Sequence, residues 1–597
     1  VRGTLRPPVP LLAIAALAFA LDVAGIGWGL PARFHPDEKA DVAAWMLSEG
    51  RLLPGSYVNP SLPLTVMTPV LAAQQQVAAA VTLPDPWGDP LLAGRLLSAL
   101  AGAFAVLLLG LAVASVHPEC RLVAPLLFAL APGVVNLCHF ATPEAWVLLT
   151  TAGVLLAAVR HQDGTTPAWA LGLALGLAAS TKYTAAALVV PVLAALWLRP
   201  RGPCRPSDRA FWIVAGLISL ALGLTLWGTG ARFASSLGLP DARLLRPESA
   251  HAFVAGVTWA ALAAGVTAVT LALFAGSPAR WRLGRRVAPL VRREVVVAGG
   301  AAIAGFLVGT PGAVLAPREF LSYLAFNAQT RHQYKGLADA GTAYLPYLEL
   351  LADALTRPVL VAALLGLVVV AARAWRGDRM VVLIALAAVS PYLLVASSGH
   401  RAMRFVAVAI PAAVWLASLT LASVRDRRVR RLLTVGVVAR TAIAALLVVR
   451  LFFVDSRLLA ERWMAVHVPR GATVDLITNH EGYAPRVPEG RSTRLVRTLS
   501  REMAPPERFA EAAERYPSEA SEWLVLTASF YERFLEHPEQ RPERARFFGA
   551  LLDGRGGFTL EARFGQDEDG WLRPAADEFL DPEIVILRRS APPPDLP

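Results

Sequence analysis

Apolar runs, each about the length of one membrane crossing, recur along positions 9–454 and then stop. A helix rises about 1.5 Å per residue, so roughly 20 apolar residues cross a hydrocarbon core about 30 Å thick. The runs are 9–30, 61–83, 91–116, 121–138, 144–160, 167–181, 183–198, 210–230, 251–275, 294–315, 356–374, 380–397, 404–423 and 433–454. The weakest is 61–83, where Pro63 and Pro69 interrupt backbone hydrogen bonding and Gln74, Gln75 and Gln76 would sit near the bilayer centre. It is expected to lie against the outer face of the membrane, which leaves thirteen crossings in an all-α polytopic domain spanning 1–454.

The gaps between runs give the direction of each crossing. Four are rich in arginine: Arg199, Arg201, Arg205 and Arg209; Arg280, Arg282, Arg285, Arg286, Arg292 and Arg293; Arg373, Arg376 and Arg379; Arg425, Arg427, Arg428, Arg430 and Arg431. Such gaps face the cytoplasm, and counting back from them gives a cytoplasmic N-terminus. Residues 31–90, 139–143, 316–355 and 398–403 then lie outside, as does the chain from 455 to 597. The last stretch has no spanning run, a helical pattern at Pro506 to Tyr516, and strand-like runs Thr473 to Thr478, Trp523 to Thr527 and Ile584 to Leu587. It reads as a small soluble extracytoplasmic α/β domain ending in a Pro-rich disordered tail, Ala591 to Pro597. Residues 9–30 follow Arg2 and Arg6 like a secretion signal, but they are long enough to span and lack a small-x-small cleavage site, so they read as a retained first helix.

Composition agrees with a bilayer protein: 55% of residues are hydrophobic and the mean hydropathy is +0.49. The net charge of +12 would suit a nucleic-acid partner, but the arginines sit in the short gaps and no basic-aromatic platform appears, so nucleic acid is excluded and membrane lipids are the expected surroundings. Cys120, Cys138 and Cys204 show no metal-ligand spacing and are not expected to form a disulfide framework.

The first outer loop opens with Arg33-Phe34-His35-Pro36-Asp37-Glu38. Two readings fit it. Pro36 suits a first helical position and acids favour the positive end of a helix dipole, so the pattern can be a helix start. Adjacent carboxylates beside a membrane can also form a reactive site. Glu144, just after Pro143, divides the same way between helix start and function.

Taken with Asn59-Pro60-Ser61-Leu62-Pro63, Arg95-Leu96-Leu97-Ser98-Ala99-Leu100-Ala101-Gly102, His139-Phe140-Ala141-Thr142-Pro143-Glu144 and Thr181-Lys182-Tyr183-Thr184, this loop resembles glycosyltransferase family 39. That GT-C group includes protein O-mannosyltransferases and lipid A aminoarabinose transferases. The resemblance extends through Arg404-Phe405 and Pro411, and Ser529-Phe530-Tyr531 and Pro582-Glu583-Ile584 look like the periplasmic tail of bacterial relatives. It implies a GT-C fold and inverting transfer of a sugar from a polyprenyl-phosphate donor to a lipid, glycan or protein acceptor at the outer face. It also implies that Asp37, with Glu38 beside it, supplies the base, and that Glu144 stands where relatives usually have an aspartate. A divalent metal is the one cofactor it leaves open.

Such chemistry needs cations for the donor phosphate. Arg95 enters the bilayer near its outer edge; Arg331 and Lys335 lie in the long outer loop, and Arg401 and Arg404 in a short one. Each alone also reads as a snorkelling or solvated charge. Lys39, Lys182 and Lys335 are the only lysines among 57 basic residues, and all fall in or beside outer segments: either chance, or places where a compact ammonium fits a phosphate or carboxylate better than a planar fork, with Lys182 the candidate for the donor phosphate. His35, His139, Tyr183, His332 and Tyr334 complete the candidates on that face. A secondary transporter or lipid flippase is the alternative, but it calls for half-chain repeats and mid-membrane charges, whereas the ionisable groups here gather at outer helix ends.

Overall fold

The computed structural model describes residues 8–81, 87–199, 206–240, 245–275, 292–331, 343–478, 480–501, 504–565 and 579–590. Cys204, His332, Tyr334, Lys335 and the Ala591–Pro597 tail lie outside the described residues. The chain is an integral membrane protein of mostly helical structure. Among the described residues, six helices are long and apolar enough to cross a bilayer: Pro90–Val116, Pro143–Gln162, Arg209–Ser235, Pro247–Leu273, Arg357–Trp375 and the helix that begins at Arg427 and ends at Leu451. Shorter apolar helices occupy other expected crossings, among them Val9–Val23, Ala168–Ala179 and Met380–Ala396.

Several runs break where local chemistry demands it. The first helix stops at Val23, short of the expected Leu30, and residues 24–32 form turns with Trp28 buried against Phe34, Phe140 and Phe452. The run 121–138 divides into Val123–Leu130 and Pro132–Cys138, because Pro132 has no N–H to continue the ladder and fits a first helical position. Two more runs open as tight 3₁₀ turns, Tyr183–Leu188 and Met403–Val408. These turns deliver Lys182 and Arg404.

The proline-containing run 61–83 does form a helix, Leu62–Ala80. The Leu62 amide donates to Ser180 O (3.1 Å), while Gln74 Nε2 donates to Trp87 O (2.9 Å) near the start of Pro90–Val116. Both contacts lie at the helix ends that carry the site below. The opposite ends hold the arginine-rich gaps: Arg373 pairs with Glu119 (3.0 Å), and Arg292 donates to Arg199 O (3.4 Å). Between the two ends, Gly172 and Gly176 lie directly on the backbone of Ala298 and Ala302, a close approach that small residues permit.

After Asp455 the chain folds into a five-stranded sheet: β1 Thr473–Ile477, β2 Ser492–Leu495, β3 Trp523–Thr527, β4 Phe558–Phe564 and β5 Ile584–Arg589. The order is β2-β1-β3-β5-β4, parallel from β2 to β3 and antiparallel beyond. Central β3 is buried along its whole length, so it reads as a continuous apolar run. Ser456–His467 covers one face, while Pro506–Glu519, Ala528–Glu536 and Pro542–Leu552 cover the other.

Candidate active site

The helix of the first outer loop begins at Lys39, not at Pro36. Asp37 and Glu38 therefore precede the helix, and neither caps it through its side chain. Their carboxylates point to different partners.

Glu38 is 3% exposed and binds Arg95 in a two-pronged pair, Arg95 Nε to Oε1 and Nη2 to Oε2, both 2.7 Å. Its Oε1 also accepts the Ala141 amide (2.9 Å), and the Lys39 amide returns to Ala141 O (2.7 Å). Arg95 is 1% exposed and sends Nη1 to Ile26 O (2.8 Å) and Trp28 O (2.7 Å). This clasp joins three stretches distant in sequence: the turn after the first helix, the first outer loop and residues 139–143. The expectation that Arg95 receives the donor phosphate meets a guanidinium already engaged on both of its terminal nitrogens and on Nε.

Asp37 stands at the rim. Its side chain keeps 46% of its surface, and Oδ2 accepts a 2.6 Å bond from Arg404 Nη1. Burial alone would raise its pKa; the Arg404 guanidinium, with His35 and Lys39, overrides that and holds it at about 2. Asp37 is therefore ionised. His35 accepts the Asp37 amide on Nδ1 (3.2 Å) and packs between the rings of Phe140 (4.4 Å) and Phe579 (4.6 Å). Burial pushes His35 down to about 4 against the pull of Glu38 and Asp37, so it is a neutral spacer at physiological pH.

Beside this pair lies a second one. Glu144, in the first turn of Pro143–Gln162, accepts from Lys182 Nζ at 2.5 Å, and both are buried. Lys182 Nζ also sits 4.4 Å from the centre of the Phe405 ring, and the Arg404 guanidinium lies 5.8 Å from that same ring. Phe405 is thus a ring shared by two cations, each resting on its own carboxylate. Lysine suits its position, since a compact ammonium can meet one carboxylate oxygen and a ring face at once.

The other expected residues stand further out. Tyr183 donates to Tyr57 O (2.9 Å) and ties the 3₁₀ turn to the first outer loop. His139 sets its ring nitrogens against Val135 O (2.6 Å) and Ala24 O (2.9 Å) and stacks on Phe452 at 3.7 Å, which makes it a packing element beneath the clasp. Arg331 bonds Ser397, and its carbonyl accepts the Gly399 amide (3.1 Å), so it holds the loop carrying Arg401 and Arg404. Two aromatic walls carried no sequence signal of their own: Phe405, noticed only as the neighbour of Arg404, and Phe579, which stands in no motif.

Among the described residues no three His, Cys, Asp or Glu side chains gather as a metal-holding group. Asp37, Glu38 and Glu144 each already face an Arg or Lys.

Residues 67–227 match the family model for dolichyl-phosphate-mannose-protein mannosyltransferase. The family resemblance therefore holds over a segment that contains Arg95, His139, Glu144, Lys182 and Tyr183. No curated protein matches the chain. Among solved structures, the archaeal oligosaccharyltransferase AglB from Archaeoglobus fulgidus, in complex with an inhibitory peptide and a dolichol-phosphate, is 12% identical, with 94% of this chain and 73% of that one covered and a TM-score of 0.46. ArnT from Cupriavidus metallidurans, bound to undecaprenyl phosphate, is 13% identical, with 96% and 97% covered and a TM-score of 0.41.

Proposed function

We propose that the chain is a membrane glycosyltransferase that moves a sugar from a polyprenyl-phosphate donor to a hydroxyl-bearing acceptor, with inversion, at the extracytoplasmic face. The N-terminus is then cytoplasmic and the domain after Asp455 extracytoplasmic, in keeping with the arginine-rich gaps gathered at the far helix ends. The observation that carries the reading is the convergence of two acid–cation pairs, Asp37–Arg404 and Glu144–Lys182, around Phe405.

The donor phosphate is met by Arg404, with Arg401 on the same loop, while Lys182, kept on Glu144, adds its positive charge from the other contact of the Phe405 ring. As the acceptor oxygen attacks the sugar's anomeric carbon from the side opposite the phosphate, Asp37 takes the hydroxyl proton. The carbon–oxygen bond to phosphate breaks, and the two cations stabilise the charge that develops on the leaving group. Asp37 at about 2 is a weak base while Arg404 rests on it. A phosphate that draws Arg404 toward itself removes that counter-charge and raises the affinity of Asp37 for the proton. Base strength is thereby coupled to donor occupancy.

The test is reconstitution of the protein in nanodiscs with polyprenyl-phosphate sugars and an envelope extract, followed by mass analysis. Release of polyprenyl phosphate together with a glycosylated product supports the reading. In liposomes, passage of intact donor across the bilayer without release would replace it with the flippase. Comparison of envelope glycolipids and glycoproteins with and without the gene identifies the acceptor class.

A further inference from the structure

A second aromatic wall of the rim comes from the other domain. The Arg404 guanidinium lies 5.6 Å from the ring centre of Phe579, and the same ring meets His35 edge-on at 4.6 Å. Phe579 is 5% exposed, and Tyr483 of the soluble domain stacks on it at 5.4 Å with ring planes 10° apart. We propose that Phe579 is a positioning residue of the active site: it holds Arg404 and His35 against Asp37, so that the soluble domain completes the donor-phosphate site. This inference rests on the glycosyltransferase reading above.

The ring is held by a fixed frame. Arg457, fully buried, donates to Phe579 O (2.7 Å), Gly482 O (2.9 Å) and Phe34 O (3.3 Å), so one guanidinium joins the soluble domain to the first outer loop. Asp455 holds Arg457 through Oδ1 (2.9 Å) and Oδ2 (2.8 Å) and accepts from the Trp28 indole (3.1 Å) and the Asp581 amide (3.1 Å). Leu580 enters the same apolar cluster as Trp28, Phe34, Phe140 and Phe452. The segment 579–581 is thus wedged between the domains, with one face of the Phe579 ring on Tyr483 and its surroundings occupied by His35 and Arg404. Arg404 is aimed at Asp37 by two aromatic rings, one from each domain, and an arginine with only one such wall has more ways to turn away.

The experiment measures donor KM and kcat for full-length protein in nanodiscs with a polyprenyl-phosphate sugar, comparing wild type, F579L, F579Y, R404A and the double variant F579L/R404A. Leucine keeps an apolar side chain in the wedge but removes the ring face; tyrosine restores the ring. F579L is expected to raise donor KM about three- to tenfold, F579Y to stay near wild type, and the double variant to be no worse than R404A alone. A purely structural role would lower the amount of active enzyme and leave KM unchanged. An unchanged KM in F579L, or multiplying effects in the double variant, overturns the inference while leaving the function intact. Wild-type protein that transfers from no polyprenyl-phosphate sugar removes the function and this inference with it.

Discussion

Asp37 and Glu38 are neighbours in sequence, yet they belong to two regions built on different physics. Glu38 sits in the clasp, where both side chains of the pair are buried and Arg95 meets it with two prongs. Asp37 sits on the rim, where it meets Arg404 at 2.6 Å and 46% of the acid's side chain stays open. A buried, doubly bonded pair resists exchange of partners, because each ion released would stand uncompensated in a low dielectric. A pair whose acid is open to water can trade partners at a smaller cost. Under the proposed function, the difference leaves Glu38 to the clasp and puts the chemistry on Asp37.

The sharpest way to break this division is the D37N variant. The amide is nearly isosteric but cannot take the acceptor's proton, so turnover is expected to fall about 10²- to 10⁴-fold while the thermal midpoint stays near wild type. Turnover close to wild type in purified D37N would show that another group takes the proton. R95A should do the reverse: loss of one partner of the buried pair costs roughly 3–5 kcal/mol of stability. Denaturant unfolding in detergent checks it, and an R95A protein as stable as wild type would dissolve the clasp.

The smallest expected effect concerns the hinge between the domains. Burial, reinforced by Asp455, raises Asp581 to about 6, and its Oδ1 accepts the Ser456 amide (2.7 Å). A carboxylate raised in the folded state contributes stability that is full below its unfolded value of about 4 and is lost as pH rises through about 6. The thermal midpoint should therefore fall slightly between about pH 4 and about pH 7, and D581N should remove that component. An identical pH dependence in D581N would show that another group titrates.

Much of the helical part was legible because apolar run length is a strong, local signal. The same pattern overstated the first helix, since Gly25, Gly27 and Gly29 are apolar by character but sit in turns, two of them with positive φ. In the soluble domain the buried strands β1, β3 and β5 were visible as apolar runs. β2 and β4 were not: Ser492–Leu495 and most of Phe558–Phe564 are edge positions facing water. At the site, Asp37, Glu144, Lys182 and Arg404 were all legible as candidates, because charges beside a membrane need a reason. Which acid meets which cation was not, since the pairs bridge segments as far apart as residues 37 and 404. Nor could the sequence show that Arg95 turns back to a glutamate and two carbonyls, or that Phe579 returns from the far end of the chain to the rim.

The account stands most directly on where the donor phosphate binds. Polyprenyl phosphate affinity, measured in nanodiscs for R404A and for the folded fraction of R95A, separates rim from clasp in a single comparison. The account predicts that R404A weakens binding about tenfold or more, in line with the loss of a charge-assisted contact, and that folded R95A binds like wild type. Normal binding by R404A together with weakened binding by folded R95A would contradict it and move the phosphate into the clasp.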